Sequence, residues 1–251
     1  MKRYAAVLAG LSLAAALLAA CGEESKSPNG TTPSATATTA ATAIDPADFR
    51  AEVDNPLFPL TAGTTFVYEG EEVDSETGET IEIRIESTVL AETEIVGGVE
   101  VMVVEVKDYE DGELVERTLD YYAQHTDGTV YYFGERVDDY EGGEVVGHSG
   151  QWLAGEGDNQ PGVFMPANVA VGVEFEQERA PGVAEDRSKI VEVDQTVTTA
   201  AGTFSGCIKT EDFDPLGGVT EHKYYCRGVG LVREEPEDGQ IDLISYELGQ
   251  R

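Results

Sequence analysis

From Thr65 onward the chain alternates apolar and polar residues in short runs separated by glycine-bearing turns. In Ile81-Glu82-Ile83-Arg84-Ile85-Glu86 one set of positions is isoleucine and the other is charged. That period of two is the pattern of a strand with one buried and one wet face. Similar runs, rich in Val, Ile, Thr, Tyr and Phe, predict strands over Thr65 to Glu71, Thr80 to Leu90, Val99 to Tyr109, Leu114 to Gln124, Thr129 to Val137 and Glu144 to Ser149. The pattern resumes over Val173 to Glu178, Arg187 to Val193, Gln195 to Thr199, Thr203 to Phe213, Thr220 to Arg227, Leu231 to Glu234 and Ile241 to Leu248. Between strands stand Gly97-Gly98, Asp111-Gly112, Asp127-Gly128, Gly142-Gly143, Gly217-Gly218 and Asp238-Gly239, pairs favoured where a tight hairpin turn needs positive φ. The expected fold is all-β, an antiparallel meander forming a sandwich or a strongly curved sheet or half-barrel. One short helix is expected from Pro46 to Glu52, because Asp45 offers a cap, Pro46 suits the first helical position and Asn55-Pro56 ends it.

The two halves of the patterned region echo each other. Gly63-Thr64-Thr65-Phe66 is matched by Gly172-Val173-Glu174-Phe175, Gly98-Val99 by Gly202-Thr203, Tyr121-Tyr122 by Tyr224-Tyr225, and Gly128-Thr129-Val130 by Gly230-Leu231-Val232. The expectation is an internal repeat over residues 60–135 and 165–235, with two similar meanders packed together.

Ahead of the patterned region the character changes. Lys2-Arg3, an apolar run from Tyr4 to Leu17 and the small residues before Cys21 have the order of a secretion signal, and the run is too short for a membrane-spanning helix of about 20 residues. Leu18-Ala19-Ala20-Cys21 resembles the lipobox of bacterial lipoproteins. That resemblance implies cleavage before Cys21, lipidation of its sulfur with palmitate-type chains, and anchoring at the outer face of the cell membrane. Residues 21–43 hold almost no bulky apolar side chain and cannot bury enough surface to offset their ordering entropy. The organisation expected is a signal at 1–20, a lipidated tether at 21–43 and one β domain at 44–251.

The chain has 49 acidic against 16 basic residues, a net charge of −33. Nucleic acid is excluded as a partner, since its phosphates need a basic footprint. Because the acids are spread along the whole folded part, with Glu69, Glu71, Glu72, Asp138, Asp139, Glu141, Glu234 and Glu235 among them, they read as a solvated surface.

With Cys21 assigned to lipid, Cys207 and Cys226 remain for a disulfide, which an extracytoplasmic compartment permits. In a hairpin turning between Leu216 and Gly217, residues whose numbers sum to 433 face one another, as 207 and 226 do. The same register sets Lys209 against Tyr224 and Glu211 against His222. Of the histidines, His125 falls in a turn, and His148 precedes Ser149 without the Gly-x-Ser-x-Gly order of a hydrolase nucleophile. His222 with Glu211 and Glu221 is the one candidate metal set, with a divalent cation as the only cofactor in view. Asp108, Glu110, Asp111 and Glu113 lack calcium-loop spacing and leave only weak surface calcium. Aromatic residues concentrate around Tyr121, Tyr122, Tyr131, Tyr132 and Trp152, and Tyr122, Tyr132 and Trp152 are candidates to line a groove for an apolar, lipid or glycan ligand.

Asn55-Pro56-Leu57-Phe58-Pro59-Leu60, Gly63-Thr64-Thr65-Phe66-Val67-Tyr68-Glu69-Gly70, Asp120-Tyr121-Tyr122-Ala123-Gln124 and Glu221-His222-Lys223-Tyr224-Tyr225 followed by Gly228-Val229-Gly230-Leu231-Val232 resemble a family of uncharacterised bacterial secreted proteins and lipoproteins. The resemblance covers most of Asn55 to Glu235 and implies no reaction. It departs at Cys226-Arg227, where Ala-Pro is expected in relatives, which makes the disulfide a local feature. A lipidated curved sheet is also similar to carrier and sensor folds that hold acyl chains, an analogy of architecture alone. The function expected is a membrane-anchored, non-enzymatic binding or envelope-associated module. The alternative is a metal-binding protein or metal-dependent hydrolase using His222, Glu211 and Glu221.

Overall fold

The computed structural model describes residues 44–74 and 77–250. The predicted signal, Cys21 and tether lie outside them. The described chain forms strands β1 (Phe49–Arg50), β2 (Thr65–Val73), β3 (Thr80–Val96), β4 (Val99–Glu110), β5 (Glu113–His125), β6 (Val130–Glu141), β7 (Glu144–Gly147) and β8 (Trp152–Leu153). It continues with β9 (Gln160–Met165), β10 (Glu174–Glu176), β11 (Glu178–Arg179), β12 (Arg187–Thr199), β13 (Gly202–Asp214), β14 (Val219–Cys226), β15 (Gly230–Glu235) and β16 (Gly239–Glu247). All are joined in antiparallel pairs, in the order β10-β12-β13-β14-β15-β16-β2-β3-β4-β5-β6-β9-β11. The all-β antiparallel meander and strong curvature expected from the sequence are present.

The two ends of that path are consecutive in the chain. β10 pairs with β12 through Phe175 and Ser188, β11 pairs with β9 through Glu178 and Pro161, and only Gln177 separates them. The Gln177 backbone N–H turns aside to the Asp186 carbonyl, so one short segment bridges both edges and the sheet is nearly closed into a barrel. At this seam a Cβ on Gly162 would lie 2.0 Å from the Gln177 carbonyl oxygen. Glycine is what allows the two backbones to approach there.

Three expectations are corrected. The Asp45 carboxylate does cap the Ala47 N–H, but the helix is a single 3-10 turn, Pro46–Asp48, because Phe49 and Arg50 pair instead with His125 and Gln124. Arg187 to Thr199 is one strand, not two, bent by a bulge around Asp194, whose φ is +55°. β1, β8 and β9 were not foreseen, since two are dipeptides and Gln160-Pro161-Gly162 carries the residues that argue against a strand.

Residues 60–135 and 165–235 pass through the sheet in the same order, as β2-β3-β4-β5-β6 and as β10-β12-β13-β14-β15, with β16 between them. Hairpins alternate between the two ends of such a meander. The segment 53–60 blocks one end. Gln124 Oε1 accepts the backbone N–H groups of Asp54 and Asn55 at 2.8 and 3.0 Å, Asn55 Nδ2 donates to the Gly128 carbonyl, and the Gly228 N–H donates to the Pro56 carbonyl. Phe58 then inserts among Tyr122, Phe164 and Tyr225, with ring centroids 5.1, 4.5 and 6.5 Å away. The Asn-Pro-Leu-Phe-Pro-Leu motif is thus a plug, tied to one half through the Gln124 and Asn55 side chains and to the other by a backbone hydrogen bond.

The outer face is charged. Arg84 bridges Glu69 and Glu86, and Glu105 takes both Lys107 and Arg117. A barrel built to span lipid turns an apolar band outward, and this one turns ion pairs outward. Among the described residues no helix is long and apolar enough to cross a membrane.

Candidate functional site

The inward face of β5 changes character in steps of two residues. Gln124 holds the plug, Tyr122 packs against Phe58, and Asp120, Thr118 and Glu116 then line the interior, all five being at most 5% exposed. Their register partners extend the change around the wall. Asp108 on β4 faces Glu116, while on β6 Glu135 faces Asp120 and Asp139 faces Glu116. Across the interior stand Glu178, Asp186, Asp212 and Glu234, each buried. One end of the barrel is therefore aromatic and plugged, and beyond it the wall is carboxylic acid.

Among the described residues a single buried base serves this wall. Lys223 is 5% exposed, with Nζ 2.6 Å from Glu221 Oε1 and 3.8 Å from Asp212 Oδ2, and its register partner on β15 is Glu234. Burial works against its charge, but Glu221, Glu234 and Asp212 outweigh that and hold its pKa above the usual lysine value. One ammonium cannot neutralise them all. Burial first and Glu221 second push the Glu234 carboxyl up, while Glu221 serves as the ion-pair partner of Lys223.

On β4, β5 and β6 the wall has no such base. Burial, then Asp139 and Asp120, raise Glu116 to about 8, and burial raises Asp120 to about 7. Burial and the neighbouring Asp120 and Glu178 raise Glu135, and Asp186 reaches about 8 through burial and Asp214. Both oxygens of Glu135, Oδ2 of Asp120, Oε2 of Glu116 and Oδ1 of Asp108 lack a hydrogen-bond partner. Buried polar atoms are nearly always paired, so this wall is short of donors. Chemically it can hold protons or a cation.

The expected surface acidity is corrected accordingly, because Asp139 and Glu234 are 4% and 2% exposed and Asp108 is 5%. Asp108 therefore faces Glu116 inside and is no part of a surface calcium loop. The interior residues Asp120, Glu135, Glu116 and Lys223 were missed by reading the sequence. Alternation puts Asp120 on the face of Tyr122, but with Tyr121 buried as well the sequence carries no sign of which face turns inward.

Of the residues singled out from sequence, Cys207 and Cys226 form the disulfide, with Cα atoms 4.0 Å apart. Lys209 pairs with Tyr224 and Glu211 with His222 in the expected register. The metal set does not converge. His222 Nε2 lies 3.9 Å from Glu211 Oε2 on one face, whereas Glu221, the next residue along the strand, turns to Lys223. Among the described residues no three His, Cys, Asp or Glu side chains are placed to hold one metal ion. Tyr122, Tyr132 and Trp152 line no open groove, being 2%, 1% and 3% exposed. They stack in series, Tyr122 on Tyr132 at 5.0 Å and Tyr132 on Trp152 at 5.6 Å, and border the acid wall, Trp152 Nε1 lying 3.4 Å from Glu178 Oε1. Ser149 Oγ donates to Asp139, His148 Nδ1 lies 2.6 Å from the Val137 carbonyl oxygen, and His125 pairs with Asp127.

No known protein family matches the chain, and no curated protein matches it. Among solved structures it is similar to a presumed exported protein with a YmcC-like fold from Bacteroides fragilis, at 14% identity over 76% of this chain and 98% of that one, with a TM-score of 0.45. A presumed lipoprotein from Parabacteroides distasonis is similar at 14% identity over 77% of this chain and 99% of that one, with a TM-score of 0.40. Likenesses of this size leave the chemistry to be argued from the residues themselves.

Proposed function

We propose that the protein is an extracytoplasmic lipoprotein, held at the outer face of a bacterial membrane by lipidated Cys21, and that its barrel is a non-enzymatic module binding a cation in its acid-lined interior. The anchor reading rests on Lys2-Arg3, the short apolar run and the lipobox-like Leu18 to Cys21. A disulfide between Cys207 and Cys226 suits a compartment that keeps thiols oxidised.

The observation that carries the binding reading is the opposition of Asp120 and Glu135 inside the barrel with no base beside them. Stability alone does not favour such a pair, because burying a carboxylate without a partner costs several kcal/mol. A bound cation removes that cost, and binding is then coupled to the folded state.

Native mass spectrometry of protein purified from membranes, together with thermal unfolding against a panel of inorganic and organic cations, tests the proposal. The expected result is a cation-dependent rise in unfolding temperature beyond the effect of matched sodium chloride. Co-purified neutral lipid with no response to any cation overturns it.

A further inference from the structure

Inside the barrel, Asp120 on β5 and Lys223 on β14 hold corresponding places. Each stands two residues before the inward tyrosine of a Tyr-Tyr pair, Tyr122 in one case and Tyr225 in the other, and each faces a glutamate on the next strand, Glu135 or Glu234. In one half of the barrel the chain supplies its own alkylammonium, whose Nζ lies 2.6 Å from Glu221 with Glu234 as register partner on the next strand. In the other half it supplies a second acid.

We propose that a small primary alkylammonium ion binds between Asp120 and Glu135, supplying to this half of the barrel the ammonium that Lys223 supplies to the other. This rests on the interior being a cation site and adds the chemical class of the cation. Glu135 is 0% exposed and neither of its oxygens has a hydrogen-bond partner, and Oδ2 of Asp120 has none either. A primary ammonium brings three N–H donors to these oxygens. A metal ion suits the wall less well, since no three candidate ligands among the described residues meet at one point and calcium takes 6 to 8 oxygens.

The surroundings limit the rest of the molecule. Asp120 is the one charged residue lining a small cavity of about 30 Å³ whose other walls include Phe58, Tyr68, Val104, Tyr122 and Leu231. That is room for roughly two water-sized groups; Glu135 is not among its walls, so the cavity beside Asp120 takes the carbon chain, of one or two atoms, and not the ammonium. The aromatic wall also favours a cation with an apolar tail. A quaternary ammonium offers no N–H donor and is excluded by the same geometry.

Full-length protein, purified in amine-free buffer near pH 7.5, is unfolded by heat with increasing ethylammonium chloride, with tetramethylammonium chloride, sodium chloride and calcium chloride as comparisons. Ethylammonium is expected to raise the unfolding temperature saturably and above the other salts. Glu135→Gln is expected to weaken the response at least tenfold in midpoint concentration, and the exposed Glu92→Gln to leave it unchanged. Asp120→Lys supplies the ammonium covalently, and it is expected to fold and to abolish the response. Saturable stabilisation by calcium that ethylammonium does not compete with overturns the ammonium assignment and leaves the cation site standing. Absence of any cation effect, with Glu135→Gln simply raising the unfolding temperature, means that the carboxyls hold only protons and overturns both.

Discussion

Asp120 and Glu135 face each other across β5 and β6, two acids in register with no base between them. The corresponding pair across β14 and β15 is Lys223 and Glu234. Directly opposed like charges destabilise a sheet and opposite charges support it. One half of the barrel therefore holds a base of its own, and the other is left with an electrostatic deficit that protons or a ligand must fill.

Protons fill it as pH falls. Glu116, Asp120 and Asp186 titrate near 8, 7 and 8 when folded, against about 4 when unfolded. Between those values the folded state binds more protons than the unfolded one, so stability falls as pH rises. Urea unfolding in amine-free buffer should show the protein less stable at pH 8.5 than at pH 5 by at least about 2 kcal/mol, each raised unit being worth about 1.4 kcal/mol. A flat or rising profile contradicts the raised values.

Glu135→Gln keeps shape and removes a charge that has no partner. At pH 8 it should stabilise the protein by about 1 to 2 kcal/mol, as removal of uncompensated buried charge does. Because burial and the neighbouring Asp120 and Glu178 raise the Glu135 pKa, the gain should shrink as pH falls. Paired unfolding curves at pH 8 and pH 5 give the difference.

Lys223→Met should act in the opposite direction. It removes the base that sits 2.6 Å from Glu221 and faces Glu234, and loss of one partner from a buried charge cluster costs about 3 to 5 kcal/mol. Because the orphaned acids then take up protons, the loss should be larger at pH 8 than at pH 5. Equal losses at both would make Lys223 a packing residue only.

Gln124→Leu tests the plug. Its Oε1 accepts two backbone N–H groups, those of Asp54 and Asn55. Leaving buried donors unmet costs about 1 to 3 kcal/mol each. Faster amide exchange confined to residues 53–60 and the turns they touch should accompany the loss. Unchanged exchange there would show that Phe58 alone seats the segment.

Opening the disulfide by Cys207→Ser with Cys226→Ser should cost about 3 kcal/mol, the entropic worth of a loop of about 20 residues. Denatured, unreduced wild-type protein should show no titratable thiol from this pair. Two reactive thiols would mean that the bond does not form in the cell.

How much could be read in advance depended on how local each feature is. The facing of Cys207 and Cys226 follows from hairpin arithmetic over a short stretch, and Lys209 with Tyr224 and Glu211 with His222 came with it. Alternation in Ile81 to Glu86 declared its buried face, because one set of positions is apolar and the other is not. In Glu116-Arg117-Thr118-Leu119-Asp120 both faces are polar or mixed, so alternation could not say which set points inward. Glu221 and His222 were grouped as ligands by sequence proximity, although neighbours along a strand point to opposite faces.

The sequence by itself determined most of the strands, the register of the hairpin that carries Cys207 and Cys226, and their disulfide, since each depends on residues close together in the chain. Only the tertiary structure decided that 174–179 joins β9 to β12 and nearly closes the sheet, and that Asp108, Glu116, Asp120 and Glu135 line the interior. Closure turns one face of every strand away from water at once. A carboxylate harmless on an open sheet becomes, on a closed one, a buried charge in need of a partner.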